Sequence, residues 1–311
     1  MNGLRLMGAG HALPARALTN EDMAQYVETS DEWIASRTGI RERRFCGEGE
    51  SVTTLAVEAA RRALADAGVA KEEIGCVIVA TSSAEYAMPS TACMVHKALA
   101  LNEGIPAFDL GAACAGFLYA ADTARALLLA HGGRYALVIG AEQMSALLDM
   151  TDRNTCVLFG DAAGAAVFAL DADAEYEYVC GTRGDMAIAV GGPRRAQAMA
   201  MEGQNVFRFA VSTIPATVEA LLKRAGKTIG DVDHVVCHQA NQRILDASVR
   251  RLGAPAEKFY KNLDRFANTS AASIPLALSE MRERGLLSAG ERIALVGFGG
   301  GLTWAGILMT A

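Results

Sequence analysis

The chain has no Cys-x-x-Cys pair and no uninterrupted apolar run near the ~18 residues that suggest a membrane span. Its seven cysteines, at positions 46, 76, 93, 114, 156, 180 and 237, are odd in number and scattered. This argues against a disulfide framework and a metal site of the zinc type, and leaves most of them as small apolar fillers on strands. The first residues, MNGLRLMGAGHALP, lack a basic segment leading into a long apolar stretch. The expectation is therefore a cytoplasmic protein with no membrane partner. Positive charge is in deficit, 29 Lys and Arg against 35 Asp and Glu, so general nucleic-acid binding is not expected. No Pro- or Gly-rich linker divides the chain. At 311 residues, 51% hydrophobic and 21% charged, it has the composition of a globular protein with ample core.

Helical and strand patterns alternate, which is the α/β signature. CVIVAT (76–81), YALVIG (135–140), HVVCH (234–238) and RIALVGFG (292–299) read as buried strands. TLAVEAARRALADAG (54–68) reads as an amphipathic helix stopped by Gly68. An internal repeat is visible. VEAARRALADAGVAKEEIGCVIVAT (57–81) and VEALLKRAGKTIGDVDHVVCHQA (218–240) share a helix ending in Ala-Gly, an acidic turn and an apolar strand. Superposing the Ala-Gly pairs shifts the chain by 158 positions, near half its length, and sets Ala80 on His238. The expected organisation is two similar halves, 1–170 and 171–311, sharing one core.

IPAFDL (105–110) reads as a strand and AGFLYAADTARALLLA (115–130) as a helix buried all round, with Cys114 at its start. Unpaired N–H groups and the helix dipole favour a thiolate there, which predicts a pKa below the free value of ~8.5. The small neighbours Gly111, Ala112, Ala113, Ala115 and Gly116 leave room for a substrate, although a packed core cysteine fits the same composition. His238 ends a strand at the C-terminal edge of a sheet, where α/β sites form, and is followed by Gln239 and Asn241. Asn268 lies in the polar loop RFANTSAASIP, where a turn or cap role is the plain alternative. FGDAAGAAVF (159–168) and GFGGGLTWAG (297–306) are glycine-rich. The second lacks the Lys-Ser/Thr of a phosphate loop, so it reads as backbone held close to a ligand with N–H groups facing an oxyanion.

Taken together and in order, TSDEWIASRTGIRERR, DLGAACAGFLYA, FGDAAGAAVF, HQAN, NTSAASIP and GFGGGLTWAG resemble the β-ketoacyl-(acyl-carrier-protein) synthase III family. These are the condensing enzymes that start bacterial fatty-acid synthesis. The resemblance runs from about residue 3 to the C-terminus. It implies a thiolase-like five-layer αβαβα fold from two duplicated halves. It also implies a decarboxylative condensation of an acyl-CoA starter with malonyl-acyl carrier protein through an acyl-cysteine. Cys114 would be the nucleophile, with His238 and Asn268 completing the triad, Gly300 in the oxyanion hole and Phe298 packed over them. Leu302 stands where the family more often has phenylalanine, a difference expected to alter packing.

The same resemblance makes Trp33, Arg37, Thr29, Arg153 and Asn241 contacts for CoA, which is a substrate; no cofactor or metal is implied. Trp33 and Arg37 are four apart and can share a helix face. Gln239, Arg243, Arg208, Arg250 and Arg251 would meet the acidic carrier protein, and Met88 would close the acyl tunnel of a partner in a homodimer. Two alternatives remain at this stage: a related Cys-His-Asn enzyme of polyketide or other secondary metabolism, and a noncatalytic acyl-CoA-binding protein.

Overall fold

In the computed structural model, which describes residues 3–191 and 197–311, the chain begins with β1 (Gly3–Ala12) and a separate hairpin, β2 (Arg16–Thr19) and β3 (Glu42–Phe45). Strands β4 (Ile74–Ala80), β5 (Ala107–Leu110), β6 (Tyr135–Glu142) and β7 (Ala162–Asp171) follow. They join β1 in the order β1-β7-β6-β4-β5, with β7 antiparallel to both neighbours and β6, β4 and β5 parallel. The helices of this part are α1 (Asn20–Met23), α2 (Asp31–Thr38), α3 (Val52–Ala67), α4 (Thr91–Leu99) and α5 (Gly116–His131).

From Tyr176 onward the same plan recurs. The elements are β8 (Tyr176–Asp185), β9 (Ile188–Gly191), β10 (Gln197–Met201), α6 (Gly203–Ala225), β11 (His234–Cys237), α7 (Gln242–Leu252), α8 (Leu263–Phe266), α9 (Ser273–Glu283), β12 (Arg292–Gly299) and β13 (Gly301–Thr310). The order β8-β13-β12-β11, extended by a parallel bridge from Val235 to Phe259, repeats that of the first five strands, senses included. A single parallel register point, Arg5 with Thr310, links the two parts. Strands β9 and β10 pair antiparallel in a small sheet of their own.

Strand alternation explains the layering. On β4, Cys76, Ile78 and Ala80 face one cluster while Val77 and Val79 face another; on β12, Ile293 and Leu295 turn inward while Ala294, Val296 and Phe298 turn outward. Both sheets therefore need cover on two faces. Helices α5 and α9 fill the middle, α3 and α4 cover the first sheet, and α6 and α7 cover the second. The result is five layers, αβαβα, the thiolase-like arrangement implied by the sequence. Helices α3 and α6 end where the Ala-Gly pairs predict, at Gly68 (φ 61°) and Gly226 (φ 65°).

One expectation needs correction. Helix α5 is not buried all round: Leu129 is 46% exposed and Leu127 half-buried, because the helix flank toward the edge strand β5 lacks a second layer. Among the described residues the stretch Ala113–His131 is long and apolar enough to cross a membrane by length and composition, but here it packs between the two sheets. The cysteines are mostly fillers, as expected: Cys46, Cys76, Cys156 and Cys237 pack in apolar clusters, whereas Cys93 and Cys180 are exposed.

Candidate active site

Cys114 sits in a 3-10 turn, Ala113–Ala115, between β5 and α5. Ala113 has φ 46°, a left-handed residue that tips the next side chain out of the helix line. The end of β12 presses against this elbow from the other half. A Cβ added to Gly299 would lie 2.9 Å from Cys114 Cβ, and one added to Gly297 would lie 2.9 Å from Ala115 Cα. Glycine at these positions of GFGGG is thus required by close approach of strand to nucleophile. Cys114, Gly299 and Gly300 line one cavity of about 840 Å³.

His238 and Asn268 open into the same cavity. His238 follows β11, anchored by its backbone N–H donating to the Val296 carbonyl (2.8 Å), and its ring meets Phe298 edge-on at 5.2 Å. Its Nδ1 lies 2.7 Å from the hydroxyl of Ser273, at the start of α9. That hydroxyl has one proton and two acceptors within reach, the ring and the Ser270 carbonyl at 2.9 Å. Given to the ring, it leaves Nε2–H as a donor. Burial holds the His238 pKa down at about 3, so the ring is neutral at ordinary pH. Asn268 is fixed by its backbone, which bonds to Leu158 and Gly160, and its Oδ1 accepts from the Ser270 N–H (2.9 Å). With the oxygen so occupied, Nδ2 is the free end, a donor.

Two effects work against the expected thiolate. Burial pushes the Cys114 thiol up to about 12, and the nearby Glu142 carboxyl adds to the rise. A helix start favours negative charge, but loss of water outweighs it in this packed elbow. Cys114 Sγ instead donates to Ser270 Oγ at 3.4 Å, and Ser270 Oγ donates to Glu142 Oε1 at 2.9 Å. Glu142 and Ser270 were missed as functional candidates from sequence. The readable sign was a carboxylate closing the apolar strand YALVIGAE at a sheet edge.

At the cavity mouth, two guanidinium groups pack on Trp33, Arg37 at 4.6 Å and Arg153 at 4.7 Å from the ring centroid. Arg153 also donates to the Glu28 carbonyl (2.9 Å), so a purine stacked between Arg153 and Trp33 needs them to part by about one ring thickness. Asn241 lines the cavity as the N-cap of α7, accepting from the Arg243 N–H (2.8 Å) and donating to the Arg37 carbonyl (3.1 Å). Arg243 is beside it. The wall opposite is apolar and rich in methionine: Met144, Met199, Met201, Ile188 and Val190. Among the described residues no group of His, Cys, Asp and Glu side chains is arranged to hold a metal.

Other sequence candidates lie elsewhere. Thr29 does not line the cavity, and its enclosed hydroxyl has no hydrogen-bond partner among the described residues. Gln239 is 1% exposed, its amide donating to the Cys237 and Tyr260 carbonyls and accepting from the Asn262 N–H. It stitches β11 to the 259–262 segment and cannot meet a carrier protein. Arg208, Arg250 and Arg251 are exposed outside the cavity lining, as is Met88 at 84%.

Residues 108–184 match the family model for 3-oxoacyl-(acyl-carrier-protein) synthase III, and residues 222–311 match the model of its C-terminal part. The chain is similar to the β-ketoacyl-(acyl-carrier-protein) synthase III of Rhizorhabdus wittichii, 44% identical over 308 residues and 96% of each chain. Among solved structures it is similar to 3-oxoacyl-(acyl-carrier-protein) synthase III of Aquifex aeolicus, 39% identical with a TM-score of 0.95 over 99% of this chain and 100% of that one. It also resembles the priming β-ketosynthase of the R1128 polyketide pathway, 36% identical with a TM-score of 0.93 over 99% of this chain and 96% of that one.

Proposed function

The chain belongs to the 3-oxoacyl-(acyl-carrier-protein) synthase III family, and from that premise we propose that Cys114, His238 and Asn268 divide the reaction between them. The protein is an acyltransferase that initiates fatty-acid synthesis by condensing an acyl-CoA with malonyl-acyl carrier protein. In the first half-reaction Cys114 sulfur attacks the thioester carbonyl. The amides of Cys114 and Gly300 face the oxyanion, and CoA leaves. In the second, the malonyl carboxylate departs as CO2, and its electron pair forms an enolate. The enolate oxygen takes hydrogen bonds from Asn268 Nδ2 and His238 Nε2, and its carbon attacks the acyl group on sulfur.

The observation that carries this division is the Asn268 oxygen held by the Ser270 N–H, which leaves only a donor for substrate. His238 acts the same way, as a neutral donor. An imidazolium would give its proton to the enolate and quench the nucleophile. We expect His238→Ala and Asn268→Ala to cut CO2 release from malonyl-carrier protein by about 100-fold, with acylation by acyl-CoA within tenfold of wild type. Equal loss of both half-reactions overturns the division.

The stacked Trp33, Arg37 and Arg153, with Asn241, suit the adenine end of CoA. Arg243 is a cation in the first turn of α7, where the helix dipole disfavours it by about 0.3–1 kcal/mol. That placement fits a docking role for an acidic carrier protein, extended by Arg250, Arg251 and Arg208. We read the protein as a cytoplasmic homodimer. Its edge strand β5 carries the half-buried Phe108 and Leu110, and Leu129 of α5 is exposed nearby. Met88 does not line its own cavity, so as a gate it would serve the partner's. The methionine-rich wall and the likeness to a polyketide priming enzyme favour a short acyl starter of adaptable shape. Intact-mass measurement after mixing with a panel of acyl-CoAs reads the starter and the adduct together.

A further inference from the structure

Glu142 is a fully buried carboxyl that the mechanism above does not use. Its oxygens accept from the Ser82 N–H (3.0 Å), the Ser83 hydroxyl (2.5 Å) and the Ser270 hydroxyl (2.9 Å). Among the described residues no Lys, Arg or His pairs with it. A buried carboxylate without a cation is costly. All its partners donate, so the Ser270 proton points at Glu142 and the Ser270 lone pair receives the Cys114 thiol. The hydrogen bonds therefore run in one direction, from sulfur through hydroxyl to carboxylate.

We propose that Glu142, acting through Ser270, takes the proton of Cys114 on acylation, holds it while the acyl group is on sulfur, and returns it when condensation frees the sulfur. This rests on the reading of Cys114 as nucleophile. In acylation the Sγ–H bond breaks as a Ser270 O–H bond forms, and the original Ser270 O–H breaks as Glu142 Oε1–H forms. The sulfur electron pair makes the new C–S bond. The C–S bond to CoA breaks, and CoA leaves as a thiolate that takes a proton from water. In condensation the enolate carbon bonds the acyl carbon, the C–Sγ bond breaks, and the sulfur regains its proton by the reverse shift.

Charge counting favours this route over the imidazole. Transfer to His238 would create a thiolate–imidazolium pair in a dry site, and burial already holds that ring neutral down to about pH 3. Transfer to Glu142 only moves one negative charge across two hydrogen bonds. Burial also raises the Glu142 pKa, which narrows the gap to the thiol. An acyl-enzyme with neutral Glu142 further receives the malonyl carboxylate without a second buried anion close by.

Three readouts test the relay: quenched-flow acylation followed by intact mass, acyl-CoA affinity, and infrared difference spectra of the acyl-enzyme against the free enzyme. Glu142→Gln and Ser270→Ala should slow acylation by about 100-fold or more, with acyl-CoA affinity within twofold, and Glu142→Asp should recover a large part of the rate. Acylation of wild type should bring up a carbonyl band of a newly protonated carboxylic acid that shifts in deuterium oxide. This last readout stands even where a variant fails to fold. Absence of that band, or an unchanged acylation rate in Glu142→Gln, overturns the relay alone. Absence of any adduct on Cys114 in wild type overturns the nucleophile reading, and the relay with it.

Discussion

The two halves of the molecule offer the same elbow twice. Ala113 (φ 46°) leads Cys114 into α5, and 157 positions later Ser270 (φ 49°) leads Ala271 into α9. Each elbow is seated on a glycine of the opposite half: Gly297 under Cys114–Ala115, and Gly140 under Ala271, where an added Cβ would come 2.1 Å from the carbonyl oxygen. At equivalent positions the side chains are complementary. Cys114 corresponds to Ala271, Asn268 to Gly111, His238 to Ala80, and Glu142 to Gly299. Each pair holds one reactive group and one glycine or alanine. The backbone supplies two sites; small residues open one as a cavity and close the other by packing.

The largest way to break the symmetry is to move the thiol. Cys114→Ala should lower acylation by about 1000-fold or more. Adding Ala271→Cys to that variant should not restore it, because Ala271 is 1% exposed and does not line the cavity that holds Cys114. An acyl adduct on the transplanted cysteine by mass spectrometry would show that the elbow alone suffices. The paired glycines should fail in different ways. Gly140→Ala drives a methyl into backbone and should cost about 3 kcal/mol or more in denaturant unfolding. Gly299→Ala meets Cys114 at 2.9 Å and should shift the elbow, costing about 100-fold in acylation with a smaller loss of stability. Similar behaviour of the two variants would erase the distinction between the open and closed sites.

A subtler asymmetry is the Ser273 hydroxyl, 2.7 Å from His238 Nδ1, whose single proton selects the Nε2–H tautomer when it is given to the ring and not to the Ser270 carbonyl. Ser273→Ala should lower CO2 release from malonyl-carrier protein by about tenfold and leave acylation near wild type, with folding checked by thermal unfolding. Loss confined to acylation would assign Ser273 to the wrong half-reaction.

Much of this arrangement was readable from residues. The strands around Val77 and Val235, the Ala-Gly helix stops, and the convergence of Cys114, His238 and Asn268 on one cavity followed from local pattern and from motifs in order. What failed was anything set by the surroundings of a side chain. The helix-start argument for a thiolate knew nothing of the strand end that presses against Cys114, nor of the carboxylate beside it. Gln239 was assigned to the carrier-protein surface by resemblance, yet its side chain turns inward to satisfy the backbone at Cys237 and Tyr260. Ser270 and Glu142 are 128 positions apart, and only the fold brings them together.

A last prediction concerns acid stability, and it again separates His238 from its methyl-bearing counterpart at Ala80. The ring is neutral when folded, with its pKa held near 3, whereas the unfolded chain binds a proton at the ordinary value of 6.5. Between those values the unfolded state holds one more proton than the folded state. Stability contributed by the neutral ring is therefore complete above pH 6.5 and falls as pH drops toward 3, by about 1.4 kcal/mol per pH unit. Other buried acids titrate in the same range, so the informative quantity is the difference between wild type and His238→Gln in urea unfolding at pH 7, 6, 5 and 4. That difference should narrow on acidification by this slope. A constant offset would mean that the folded ring titrates as it does in the unfolded chain, which would remove the burial that keeps it a neutral donor on the acid side of pH 6.5.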